Sequence, residues 1–146
     1  MKTPSVLFAI LTAASALFVP AARATEKPTH LLSLYERVST ALAADDLTGA
    51  RSAACALAVE AAQFQQKDIA ATATAVGKAA DLAAARTEFR TLSSDVIALA
   101  RQEKGYFLVH CPMADADWVQ STRKIANPYL GKDMSTCGTV TEETKG

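Results

Sequence analysis

Five side chains that carry metal-ligand atoms fall within 28 residues of one another: His110, Cys111, Met113, Met134 and Cys137. Thiolate and thioether sulfur are polarisable donors that suit Cu(I) and Ag(I), and thiolate also takes Zn(II). Imidazole is accepted by many of the same ions. The spacing is a C-x-M followed by an M-x-x-C. It lacks the paired C-x-x-C units of a structural zinc site and reads more naturally as a soft monovalent site. Pro112 stiffens the backbone between Cys111 and Met113, while Gly131 and Gly138 permit tight turns near Met134 and Cys137. If the two segments pair as strands, their half-sites face each other. His110 is the weaker candidate, because adjacent strand residues point to opposite faces.

Each of these residues also has a plainer use. Cys111 and Cys137 could form a disulfide. Closing that loop of about 27 residues stabilises by roughly 3–4 kcal/mol in the chain-entropy model. The count of three cysteines is odd, so at least one stays outside any intramolecular bridge. Cys55 is expected to be a small buried hydrophobe in a helix. Met113 and Met134 could be ordinary core fillers. Trp118, Tyr129 and Tyr106 are expected to fix the C-terminal segment onto the rest of the chain. Arg86, Glu88 and Arg90 read as a solvated helix face, with Arg86 a candidate anchor for the tail. The chain has no C-x-x-C, no convincing Ser/His/Asp set and only two histidines, of which His30 should be exposed. General acid–base and nucleophilic chemistry therefore have few candidates, and the chain does not read as an enzyme.

The elements that must position the sulfur cluster are mostly helical. Residues 29–103 are rich in Ala and contain no Pro and only two Gly. Leu31, Leu34 or Tyr35, Val38 and Leu42 recur at three- and four-residue steps. So do Leu47, Ala50, Ala54, Leu57, Ala61 and Phe64; then Ile69, Ala73, Val76 and Ala80; then Leu82, Ala85, Phe89, Leu92, Val96 and Leu99. Asp46, Asp68 and Asp81 stand just before new apolar series, where a carboxylate can accept from first-turn N–H groups. Thr29 could do the same for the first helix. The pattern predicts helices at about 30–44, 47–66, 69–80 and 82–103, joined by short connections into an up-down-up-down four-helix bundle. Beyond Gly105, Tyr106–Val109 and Thr139–Thr141 read as one or two short strands in a Cys/Met-rich tail. Residues 142–146 read as a disordered end.

The chain opens with Lys2, an apolar run from Val6 to Val19, Pro20 and Ala22-Arg23-Ala24. That order is a secretory signal peptide with an A-x-A cleavage site. The run is shorter than the roughly 20 apolar residues that span a bilayer. Cleavage after Ala24 removes Lys2 and Arg23, taking Lys+Arg from 15 to 13 against 15 Asp+Glu, a formal charge of −2. No segment concentrates positive charge, which argues against a nucleic-acid partner. No later segment is apolar enough to be membrane-embedded.

The motifs His110-Cys111-Pro112-Met113-Ala114, Asp117-Trp118, Ile125-Ala126-Asn127-Pro128-Tyr129, Gly131-Lys132 with Met134, and Cys137-Gly138 resemble an exported helical domain of unknown function. That domain occurs alone, or at the C-terminus of the periplasmic adaptors of copper/silver efflux pumps (CusB-type adaptors). Tyr35, Ala41-Leu42, Asp46, Ala85-Arg86, Phe89 and Leu92-Ser93 extend the resemblance into the helices. The stretch Ala114–Asp117 is shorter than that family's usual loop, and Val119 stands where Leu is common. The resemblance implies a heavy-metal role, with Cu(I) the first expectation and Ag(I) or Zn(II) the others. Because the chain has none of the adaptor's hairpin and barrel domains, it implies a free-standing carrier or sensor. The resulting expectation has four parts: a signal peptide at 1–24, a helical bundle at 25–104, a metal-site tail at 105–141 and a loose end at 142–146. The protein is expected to be periplasmic, with an efflux adaptor or metallochaperone as partner. The rival is a helical interaction module tied by a Cys111–Cys137 disulfide, without metal.

Overall fold

A computed structural model describes residues 22–146, with side chains from Pro28 onward. The expected signal peptide falls almost wholly outside the described residues. Four helices come first: α1 (Ala22–Ala43), α2 (Leu47–Gln63), α3 (Lys67–Lys78) and α4 (Leu82–Ala100). Three strands follow: β1 (Lys104–Cys111), β2 (Ala116–Gln120) and β3 (Thr139–Lys145), with a 3-10 turn at Gly131–Met134 between the last two. The chain is thus mainly helical, with a small antiparallel sheet of strand order β2-β1-β3.

The helices form close to where the apolar steps predict them, although α3 ends at Lys78 and leaves Ala80 outside it and exposed. Leu31, Leu34, Tyr35, Val38 and Leu42 of α1 are buried, as are Ala50, Ala54, Leu57 and Ala61 of α2. So are Ile69, Ala73 and Val76 of α3, and Ala85, Phe89, Leu92, Val96 and Leu99 of α4. α1 packs on α2, α2 on α3, α3 on α4, and α4 returns to α1. Two of the expected caps are present. Asp46 accepts from Gly49 N at 2.9 Å and Asp81 from Ala84 N at 2.8 Å, each satisfying an N–H that the first turn leaves free.

Two caps are corrected. Asp68 lies inside the first turn of α3, whose cap position is Gln66 without a side-chain bond. Thr29 lies within α1 and donates to Glu103 Oε2 at 3.3 Å. α1 starts at Ala22 and contains Pro28, so that proline does not mark its beginning. The C-terminal segment is also more ordered than expected. It holds three strands, because Ala116–Gln120 pairs with β1 from Phe107↔Gln120 to Cys111↔Ala116. The expected disordered end is part of β3 as far as Lys145: Lys104 pairs with Lys145, and the Thr144 hydroxyl accepts from Tyr106 N at 3.0 Å.

An aromatic file joins sheet to helices. Tyr35 stacks on Phe89 at 5.2 Å, Phe89 meets Tyr129 at 5.6 Å, and Trp118 meets Tyr129 edge-on at 6.0 Å. Ser93 Oγ lies 2.8 Å from the Tyr35 hydroxyl and 3.1 Å from that of Tyr129, which donates to Asp117 O at 2.7 Å. The expected cover of Trp118, Tyr129 and Tyr106 is therefore present, all three being buried. Phe64 is only partly buried. Cys55 is exposed, not buried: its sulfur lies on the α2 surface beside Gly77, where an added Cβ would fall 2.8 Å from it.

Candidate metal centre

The sulfur cluster is assembled by two segments that meet at one end of the sheet. β1 ends at Cys111, and β3 begins at Thr139, paired with His110. That register carries Cys137, two residues before β3, to the end of β1. Cys111 Sγ and Cys137 Sγ lie 2.7 Å apart. Cys111 is fully buried and Cys137 partly exposed. Gly138 is the residue that lets the chain arrive there. Its φ is +146°, and a Cβ on it would lie 2.8 Å from the Trp118 ring and 2.9 Å from Val109 Cγ1. A side chain at 138 would push the Cys137 arm off the sheet.

The other three predicted donors are placed differently. His110 is on the opposite face of β1, half exposed, with Nδ1 2.9 Å from Asp117 Oδ1 of its cross-strand neighbour. Met113 is 65% exposed in the β1–β2 turn, and Met134 is 39% exposed at the end of the 3-10 turn. Cys137 N donates to Met134 O at 3.0 Å, so the M-x-x-C segment is one tight turn. The structure thus brings the two thiols together, leaves both thioethers at the rim and turns the imidazole away. Among the described residues no three His, Cys, Asp or Glu side chains gather in a way that could hold a metal ion.

Asn127 organises the site, a role outside the five expected donors. Its Nδ2 donates to Cys137 O at 2.7 Å, and its Oδ1 accepts from Tyr129 N at 2.8 Å and Leu130 N at 3.0 Å. Burial pushes the Cys111 thiol up, but the Cys137 thiol, the backbone N–H groups of Ala114 and Met113 and the Asn127 amide outweigh it, and the net shift is down. Cys137 moves the other way, held up by its bond to Cys111, by desolvation and by the Cys111 charge, with the Met113 N–H opposing. Of the two, Cys111 is therefore the thiol that loses its proton first. The sequence signal for Asn127 was Asn-Pro, which marks a turn but not what the turn holds.

Two arginines one turn apart on α4 clamp the two arms. Arg86 Nε donates to Pro128 O at 3.0 Å, and its Nη2 reaches Leu42 O at 2.9 Å and Asp45 Oδ1 at 2.5 Å. Asp45, with φ +56° just after α1, accepts from Lys132 N at 3.2 Å through Oδ2. The Arg86 bond, then the Lys132 N–H, hold its carboxyl below the usual carboxylate range. Gly131, φ +58°, is required because a Cβ would collide with that carboxylate. Arg90 bonds the carbonyls of Ala114, at 2.9 Å, and Asp115, and its guanidinium lies 5.3 Å from the Tyr129 ring centre. The expected solvated face is thus partly an anchoring face.

Two cysteine sulfurs are donors of the type that suits a soft ion. Each metal–thiolate bond is about 2.3 Å for zinc, and two thiolates at a tetrahedral angle stand about 3.8 Å apart. From 2.7 Å the sulfurs would have to part by about 1 Å to admit a tetrahedral zinc.

A family model described as a protein of unknown function (DUF3347) matches residues 31–105, half of the chain. The matched segment covers most of α1 and all of α2–α4, and stops before Cys111. No curated protein and no solved structure matches the chain.

Proposed function

The chain belongs to the DUF3347 family, and from that premise we propose that it is a periplasmic soft-metal binding protein that holds Cu(I) or Ag(I) between Cys111 and Cys137. The observation that carries this reading is the convergence of the two thiols from separate segments to 2.7 Å. Metal binding requires thiolate and releases protons, and the downward shift of the Cys111 thiol lowers that cost. Met113 and Met134 stand two and three residues from the two cysteines in the sequence and are the thioethers proposed to complete a low-coordination shell. Zinc is less favoured, because a closed zinc site takes four N, S or O ligands and only two thiols meet here. His110, facing Asp117, is the least suited of the five candidates.

The motif resemblance to the domain of CusB-type adaptors supports an efflux or resistance setting, with an adaptor or metallochaperone as the exchanging partner. The signal-like first 24 residues support export to the periplasm. Among the described residues no helix is long and apolar enough to cross a membrane. Short connections support an up-down-up-down course for the helices. The protein acts as a carrier or buffer rather than an enzyme.

Titrating fully reduced protein with Cu(I) against a chromogenic chelator tests the reading. One ion should bind per chain, and the Cys111→Ser/Cys137→Ser double variant should lose it. Met113→Leu and Met134→Leu should each weaken binding less than either single Cys→Ser change. Unchanged affinity in the double cysteine variant removes the proposal. The same short sulfur–sulfur distance favours a second reading, a Cys111–Cys137 bridge serving structure alone. One free thiol per chain in protein isolated without reductant, together with no uptake after reduction, would select it.

A further inference from the structure

The two thiols differ in access, and that difference has a chemical consequence. Cys111 is fully buried beneath the β1–β2 turn, whereas Cys137 is partly exposed at the mouth. Thiol–disulfide exchange needs the attacking sulfur to reach its target, and then needs a second thiolate within reach of the mixed disulfide. From this geometry we infer that the pair is a reversible dithiol couple that exchanges with low-molecular-weight or protein disulfides in a fixed order, entering through Cys137 and resolving through Cys111.

The steps balance with glutathione disulfide as the oxidant. Access decides the entry: Cys137 is the sulfur that glutathione disulfide can reach, and after giving its proton to solvent it attacks one glutathione sulfur. A Cys137–glutathione bond forms as the glutathione S–S bond breaks, and the first glutathione leaves and takes up a proton. Cys111, whose sulfur is adjacent to that of Cys137, then gives its proton to solvent and attacks the Cys137 sulfur. The second glutathione leaves and is protonated. Two electrons pass from the cysteine pair to the glutathione disulfide. Asn127, bonded to Cys137 O at 2.7 Å, holds the Cys137 arm in place beside Cys111. Oxidation uses up both thiolates, so the couple also gates metal uptake. That gating rests on the metal-binding reading, whereas the exchange itself does not.

The experiment uses metal-free, reduced protein carrying Cys55→Ser, exposed to glutathione disulfide and quenched with acid at intervals. Intact mass should show one glutathione adduct that rises and falls as the chain loses two hydrogens. Peptide mapping of the trapped adduct should place it on Cys137. Adding Cys111→Ser should make the Cys137 adduct accumulate. Adding Cys137→Ser should slow glutathione addition at least tenfold. Mapping needs no further variant, so it stands even if one of these substitutions unfolds the chain. An adduct found mainly on Cys111 overturns the order, and two thiols that survive excess glutathione disulfide overturn the couple. Cu(I) is then titrated into the oxidised and the re-reduced forms. Uptake only after reduction supports the gate, and equal uptake by both forms removes it. No uptake by either removes the metal-binding reading and leaves the exchange standing.

Discussion

At the scale of single residues, the chemistry of the site depends on Asn127 as much as on the cysteines. It is fully buried, and its amide serves both arms through one oxygen and one nitrogen. Asn127→Ala would leave the Tyr129 and Leu130 N–H groups and the Cys137 carbonyl without partners, which should cost about 2–4 kcal/mol. Asn127→Asp separates the two tasks. The carboxylate still accepts from Tyr129 and Leu130, but it replaces an N–H donor beside Cys111 with a negative charge. In a Cys55→Ser background, thiolate absorbance should rise in two steps for the parent, one below and one above the ordinary thiol range, as a coupled pair does. Asn127→Asp should move the first step upward while leaving the helical signal unchanged. An unmoved first step would mean that the backbone N–H groups of Met113 and Ala114 hold the thiolate without Asn127.

At the scale of elements, α4 is a platform whose two arginines hold the two arms of the site from one face. Arg86 is mostly buried and satisfies two carbonyls and a carboxylate, so Arg86→Met should cost about 2 kcal/mol in urea unfolding. Arg90 is exposed, and Arg90→Met should cost less than 1 kcal/mol. Equal losses would mean that neither arm depends on its arginine in particular. Asp45 adds a pH dependence. Its folded pKa lies below its unfolded value near 3.9, so its contribution is present above that value and is lost as pH falls through the folded pKa. Asp45→Asn should flatten the acid limb of the stability curve. The sequence makes some of this legible and hides the rest. The helices could be read because apolar steps, Asp46 and Asp81 act locally. β2 could not, because Ala116, Asp117 and Gln120 have weak strand preference, and only pairing with β1 makes them a strand. The loose end was misread for the same reason: Glu142 to Lys145 are polar, and β3 continues there because β1 is beside it. The sulfur pair was legible from donor types. The facing of His110 was legible from strand alternation, but the exposure of the two methionines was not, since it depends on where the arms cross.

At the scale of the whole molecule, the question is whether the sulfur-bearing sheet melts with the helices or before them. The aromatic file Tyr35–Phe89–Tyr129–Trp118 runs through one continuous core, and Ser93 on α4 joins the hydroxyls of Tyr35 on α1 and Tyr129 in the sheet-side loop. A shared core of this kind makes a single cooperative transition. Trp118 is the only tryptophan in the chain and sits fully buried in β2, so its fluorescence reports the sheet while circular dichroism reports the helices. The two signals should trace the same urea curve, with one midpoint. Tyr129→Phe should shift both together by the equivalent of about 1–2 kcal/mol, because it removes the bond to Asp117 O that ties the loop to β2. The same residue sets the alkaline limit. Burial pushes the Tyr129 hydroxyl up to about 12, against the lowering effects of Ser93 and Arg90. An unfolded tyrosine titrates near 10, so this contribution is full below about 10 and is lost as pH rises towards about 12. In Tyr129→Phe the loss of stability across that interval should shrink by the part due to this hydroxyl. If Trp118 fluorescence instead changes before the helical signal, the sheet and its thiol pair open while the helices stay folded. The arms would then be held by the arginine clamps alone, and metal or disulfide exchange would proceed through that opened state.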